Sequence, residues 1–299
     1  MIPAVWYSLF GDVDGRSQWD GGRGVVGDLV SARCGPIPDL VQMDNTDQRF
    51  AARNDRTVVL LPGQHHADAR SVEWLSEDLA RSERVVLIVH GDEASLFPWQ
   101  TVEHPDLTLW LMTPRSTVHG SCPDGTRFIG EGAGPAVALP AGVKDVDVAF
   151  LGQSTHVRRQ QLVAVLREMD PQRTVCEPTP GFLLGRARSG YMAQMGRAKV
   201  APCPAGVESV DSFRLYEAIG AGCVPVVERH DRRGVDEGMW DLCYPGGVPF
   251  PVVSDWGELP GLLPNLLAGH AELSAECREW WSGRRRAMAA DLTADLTRP

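Results

Sequence analysis

The residues with the strongest chemical signature lie between Asp211 and Pro225, in the run DSFRLYEAIGAGCVP. Asp211 and Ser212 are of the type that caps a helix N-terminus, because a short side-chain oxygen accepts hydrogen bonds from the free amides of the first turn. Leu215, Ala218 and Ile219 recur at helical spacing, and Gly220 and Gly222 end the helix before Pro225. A helix N-terminus carries free N–H groups and partial positive charge. With Arg214 beside it, an anion such as a diphosphate can be held there. Glu217, about one turn further on, can accept hydrogen bonds from a ribose diol. The same residues also fit a capped α/β crossover with a surface Arg–Glu pair. A second candidate phosphate turn is Gly152, which follows the apolar run Val146–Leu151 and precedes Arg158 and Arg159. It is a weak motif, because the full G-x-G-x-x-G is absent.

The elements that must position these residues alternate between strand and helix. Ala4 to Phe10, Thr57 to Leu61, Arg84 to Val89 and Leu107 to Met112 are short apolar runs, each followed by a polar loop. Runs of this kind predict parallel strands buried on both faces. Arg70 to Arg84 reads as an amphipathic helix. Gly120 to Pro140, rich in Gly and Pro, reads as a connector with little regular structure. The pattern restarts with a strand at Val146–Leu151, a helix from Gln160 to Met169, a strand at Thr174–Glu177 and a helix from Ser189 to Ala198. The strand KVAPC, the helix of the signature and the strand VPVVE follow. Helices are predicted from Leu259 to Leu267 and from Ala271 to Ala290, with Arg284–Arg286 on a solvated face. Parallel sheets put ligands at the carboxyl ends of their strands. The first half carries its Asp, Glu and His residues there: Asp12 and Asp14, His65 and His66, and His90, Asp92 and Glu93.

The totals bound the function. A chain of 299 residues accommodates two domains of ordinary size. The expected division is 1–140, 141–275, and a C-terminal helix over 276–299 that packs back on the first domain. Seven scattered cysteines with no C-x-x-C argue against a disulfide framework and a structural zinc site. The net charge is −10, and residues 1–145 hold 12 basic and 20 acidic residues, or −8. That balance disfavours a broad nucleic-acid footprint. No apolar run approaches the ~20 residues needed to cross a bilayer. The N-terminus lacks the basic and apolar pattern of a signal peptide, which makes a cytoplasmic location the expectation.

From Ser212 to Val226 the sequence resembles the donor-site signature of the exostosin-like glycosyltransferases of family 47, and more broadly the E-A-x-x-x-G-x-P-V segment of GT-B nucleotide-sugar transferases. Pro202-Cys-Pro-Ala-Gly206 is similar to the C-P-x-G that precedes that signature, and Pro249-Phe250 and Trp256 resemble its later segment. The likeness spans about residues 146–270. It implies an α/β GT-B fold, with two Rossmann-like domains facing each other across a cleft, nucleotide on the C-terminal one and acceptor on the N-terminal one.

The resemblance also implies site roles. Glu217 would hold the ribose, Ser212, Phe213 and Arg214 would frame the pyrophosphate, and Arg158, past Gly152, would add a second phosphate contact, with Arg159 as its substitute. Tyr191 and Gly181-Phe182 are candidates for nucleobase stacking, and Glu208 and Ser209 for the donor sugar. Inversion at the anomeric carbon needs a general base, and the leaving diphosphate needs positive charge or helix amides. Asp92 is the first candidate base, with His90, Glu93 and Asp14 beside it, then Asp12, His65 and His66. Asp12-Val-Asp14 and Asp145-Val-Asp147 have D-x-D spacing without a suitable setting, so no obligatory metal or other cofactor is expected. The function implied is transfer of a sugar from a nucleotide-diphosphate sugar, a UDP-sugar first, to a hydroxyl acceptor such as a glycan. Alternatives are transfer to a hydroxymethylated DNA base, a nucleotide-sugar epimerase and a non-catalytic nucleotide-sugar-binding protein.

Overall fold

A computed structural model of the chain describes residues 4–8, 41–42, 57–61, 79–80, 82–89, 97–112, 122–130, 132, 143–181, 184–206 and 209–298, the first three stretches by their backbone. The chain divides into two compact units. One comprises Met1–Glu131 with Arg285–Pro299, the other Gly132–Arg284.

Among the described residues, the first unit holds six parallel strands: β1 (Ala4–Ser8), β2 (Val41–Gln42), β3 (Thr57–Leu61), β4 (Arg84–Val89), β5 (Leu107–Leu111) and β6 (Arg127–Phe128). Their order is β2-β1-β3-β4-β5-β6. All six residues of β4, RVVLIV, are buried, which accounts for a strand without polar alternation. Leu79, Phe97, Trp99 and Val102 pack with Val85, Leu87, Leu109 and Leu111 in the core of this unit. The two residues of β6 pair with Trp110 and Leu111, so the Gly- and Pro-rich connector expected over Gly120–Pro140 contains an edge strand. Most of the expected helix over Arg70–Arg84 lies outside the described residues.

Asp295, from the end of the chain, is a polar anchor of the same unit. It accepts from Trp110 Nε1 at 3.0 Å and pairs with Arg127 at 2.8 Å. Arg84 donates to the carbonyl of Arg298 at 2.5 Å and pairs with Asp106.

Among the described residues, the second unit has five parallel strands in the order β11-β10-β9-β7-β8. In sequence it runs β7 (Val146–Gln153), α1 (Val157–Arg167), β8 (Thr174–Thr179), α2 (Arg188–Arg197), β9 (Ala198–Cys203), α3 (Phe213–Gly220), β10 (Val224–Glu228), α4 (Met239–Cys243), β11 (Val252–Val253), α5 (Leu259–Ala268) and α6 (His270–Thr297), whose last residues belong to the first unit. The chain moves outward from β7 to β8, then jumps back across β7 to β9. Strand order therefore reverses between β7 and β9, the topological switch point where such sheets bind ligands. Val148, Phe150, Val200, Val224 and Val226 form the sheet side of the core, and Leu162, Leu166, Trp256, Leu259 and Leu266 cover it.

Helix α3 has the amphipathic pattern expected, with Leu215, Ala218 and Ile219 buried. It ends where Gly222 takes φ +72°, a left-handed conformation that glycine adopts without Cβ strain. α1 begins three residues earlier than the periodicity suggests, because His156 in extended conformation opens it. α4, β11 and the full length of α6 go beyond what the sequence pattern indicates. Arg284 is also not a solvated charge, for its guanidinium lies 5.2 Å from the Tyr244 ring centroid. The described cysteines are all free. Among the described residues, no helix is long and apolar enough to cross a membrane, and no group of three His, Cys, Asp or Glu is placed to hold a metal.

Candidate functional site

The site forms where the C-terminal end of β7, the loop after β9 and the N-terminus of α3 come together. Ser212 is the N-cap residue of α3, in extended conformation, but its side chain makes no capping bond. Its Oγ is buried and has no hydrogen-bond partner, in a residue only 8% exposed. A buried hydroxyl without a partner costs about 1–3 kcal/mol. The predicted cap at Asp211 takes another form. Its carboxylate is fully buried, accepts from the Ser212 amide at 2.9 Å, and accepts from Tyr216 Oη at 2.7 Å. Tyr216 Oη in turn lies 3.0 Å from Tyr244 Oη. Asp211 thus fixes the peptide that opens α3 while leaving the Ser212 hydroxyl uncommitted.

Arg214 folds back across the end of β7. Its Nη2 donates to the Leu151 carbonyl at 2.7 Å, and its guanidinium carbon lies 4.9 Å from the Phe150 ring centroid. Its Nε is buried without a partner. Gly152 makes this approach possible, since a Cβ there would sit 1.9 Å from Arg214 Nη2. The weak glycine turn of the sequence is therefore a cradle for a side chain contributed by α3.

Glu217 is 7% exposed. One carboxylate oxygen accepts from Arg188 Nη1 at 2.7 Å and the other from Tyr191 Oη at 2.8 Å. Tyr191 is committed to Glu217 by its hydroxyl. Arg188 was not visible as a site residue, because 29 positions separate it from Glu217 and only the packing of α2 against α3 joins them.

Arg158 and Arg159 hold the walls of the switch point. Arg158 Nε donates to Glu228 at 2.9 Å and its Nη2 to the Ser254 carbonyl at 2.8 Å. Glu228 also accepts from the Ala205 amide at 2.9 Å. Burial pushes the Glu228 carboxyl up, against the pull of that amide and of Arg158. Arg159 donates twice to the Ala205 carbonyl, at 3.0 and 2.7 Å. Arg158 thus forms an ion pair with the buried Glu228, which fixes the loop after β9. Ser209 is buried as well, with its Oγ accepting from the Asp211 amide at 3.1 Å, so its hydroxyl braces the loop. Asp145 pairs with Arg197, and Asp147 with Arg173 and Lys199, so the second D-x-D is neutralised by cations. Asp12, Asp14, His65, His66, His90, Asp92, Glu93, Phe182 and Glu208 lie outside the described residues.

His156, at the same crevice, has Nε2 3.4 Å from the Ala205 carbonyl and a buried Nδ1 with no partner. Burial, with Arg159 next, lowers its pKa from 6.5 to about 4. Above pH 6.5 the imidazole is neutral in the folded and unfolded chain. Between pH 6.5 and about 4 only the unfolded chain takes up the proton, so stability falls as pH falls through that window. Urea denaturation at pH 7, 5.5 and 4.5 should therefore show a shallower decline in His156→Gln than in the parent. Identical slopes would mean the imidazole is solvated.

These features define a Rossmann-like crevice within a two-sheet parallel α/β chain, and the architecture is that of the GT-B fold. The crystal structure of Anabaena HepE in complex with UDP and glucose aligns with TM-score 0.54 at 11% identity, covering 97% of this chain and 99% of that one. The same protein in complex with UDP aligns with TM-score 0.50 at 10% identity and the same coverage. Residues 149–297 match the RXYLT1 C-terminal domain family. A stretch of 114 residues is 33% identical to ribitol-5-phosphate xylosyltransferase 1 of Danio rerio, covering 36% of this chain and 26% of that relative. The chain thus matches about a quarter of the relative's length.

Proposed function

We propose that the chain is a glycosyltransferase that moves a sugar from a UDP-sugar to a hydroxyl acceptor, with the diphosphate held at the N-terminus of α3. The observation that carries this reading is the pair of buried, unpartnered groups, Ser212 Oγ and Arg214 Nε, at the N-terminus of that helix. An anion with several oxygens satisfies both, and an N-terminal dipole favours its charge. Glu217, one turn along, supplies the acceptor for a ribose. The fold shared with a protein crystallised with UDP and glucose supports a uridine nucleotide. The Danio rerio relative's name supports xylose as the sugar and a phosphorylated polyol, ribitol 5-phosphate, as the acceptor.

The exostosin-like signature at Ser212–Val226 favours inversion. In that reaction a base takes the acceptor proton, the acceptor oxygen bonds to the anomeric carbon, and the bond to the β-phosphate oxygen breaks. Negative charge grows on the leaving diphosphate, where Arg214, Ser212 and the α3 amides stabilise it. The base belongs to the set Asp92, His90, Glu93 and Asp14, with Asp92 first. UDP release from UDP-xylose, measured with and without a ribitol-5-phosphate acceptor, tests the reading. Acceptor-stimulated release that is lost in Asp92→Ala while UDP binding persists is the expected result. Absence of both turnover and UDP binding would overturn it.

A further inference from the structure

The two oxygens of Glu217 are each tied down by a different residue of one helix face. Arg188 and Tyr191 are three positions apart on α2, so their side chains project from the same side. Arg188 Nη1 reaches one oxygen at 2.7 Å and Tyr191 Oη the other at 2.8 Å. A carboxylate free to rotate presents its lone pairs in any direction, whereas one held at both oxygens cannot turn about its last bond. An ionised carboxylate has about four acceptor positions, so each oxygen keeps one for a ligand. Two fixed acceptors side by side match the two O–H donors of a vicinal diol. Burial pushes the Tyr191 phenol far above its ordinary range, which keeps its oxygen a donor to Glu217.

From this geometry we infer that Arg188 and Tyr191 are positioning residues that hold Glu217 as a two-point acceptor for a cis-diol, making the site select ribonucleotides over 2′-deoxyribonucleotides. This deepens the donor-site reading and rests on it. The residue that meets the nucleotide is Glu217, and the two α2 residues act through it. An orientation fixed by two bonds costs no ordering when the nucleotide arrives, which is the ordinary gain from preorganisation.

Calorimetric titration of UDP and 2′-deoxy-UDP into the full chain, the parent and Tyr191→Phe, tests this. Phenylalanine keeps the ring and removes only the hydroxyl. The parent should bind UDP about ten- to a hundredfold tighter than 2′-deoxy-UDP, the range for one hydrogen bond to a charged group. In Tyr191→Phe the UDP affinity should fall while that for 2′-deoxy-UDP stays level, shrinking the ratio to about threefold. Arg188→Lys, which keeps one cationic donor, should fall between the two. Equal loss for both nucleotides in Tyr191→Phe would make Tyr191 merely structural and overturn the inference. A parent that binds both nucleotides equally would also overturn it while leaving the donor site standing. A parent that binds neither would overturn the donor-site reading together with it.

Discussion

Replacing Arg158 by alanine should destabilise the chain by about 3–5 kcal/mol, because it strands a buried carboxylate. The Glu228 side chain is fully buried and that of Arg158 is only 12% exposed. Once the guanidinium is gone, Glu228 keeps only neutral donors among the described residues, the Ala205 amide and the Trp256 side chain, and loses the charge that offset its desolvation. Its folded pKa, already raised, then rises further. A carboxyl with a raised folded pKa contributes stability that is fully present below its unfolded value near 4.5 and is lost as pH climbs through the folded one. The deficit of Arg158→Ala should therefore be larger at pH 8 than at pH 5 in urea denaturation. A second change, Glu228→Gln in the same chain, should recover much of the loss by removing the unpaired charge. A stability change under about 1 kcal/mol, accompanied by loss of nucleotide binding, would return Arg158 to the role of a phosphate contact.

Gly152→Ala should be the most damaging small substitution for nucleotide binding. The added methyl would lie 1.9 Å from Arg214 Nη2, closer than any atoms tolerate. The clash falls on the far end of a flexible side chain, so the guanidinium swings away and the backbone stays. Arg214 then loses its bond to Leu151 and its place over Phe150. Stability should drop by only about 1–2 kcal/mol. UDP affinity should drop by about ten- to a hundredfold, the value of one charge-assisted hydrogen bond of about 1.5–3 kcal/mol. Since both effects run through one side chain, Gly152→Ala should have no further effect on affinity in an Arg214→Ala background. Additive losses in that cycle would show that Gly152 acts on the nucleotide by another route.

Much of the fold could be read from local pattern. The runs at Thr57–Leu61, Arg84–Val89 and Val224–Glu228 are strands with the limits their apolar residues suggest. Helix α3 was legible from Leu215, Ala218 and Ile219, and its two charged residues, Arg214 and Glu217, stood out on so short an element. What stayed hidden depends on contacts distant in sequence. The partners of Glu217 come from α2, those of Arg158 from β10 and the loop before Trp256, and neither leaves a trace in spacing. The short β6 and β11 have two residues each, too few for periodicity to register. α6 was read short because its buried residues serve two bodies. Trp280 and Trp281 join Tyr216, Tyr244 and Phe250 in the second unit, while Leu292, Leu296 and Asp295 belong to the first. No single apolar stripe runs along such a helix.

The N-terminus of α3, with Ser212 and Arg214, is proposed to receive the diphosphate of a uridine nucleotide. Titration of UDP into the parent chain by calorimetry, repeated with Ser212→Ala and Arg214→Ala, tests it most directly. Saturable one-to-one binding, weakened about tenfold or more in each variant while both remain folded, is the predicted result. No binding of UDP, or binding that both variants leave unchanged, would contradict the account.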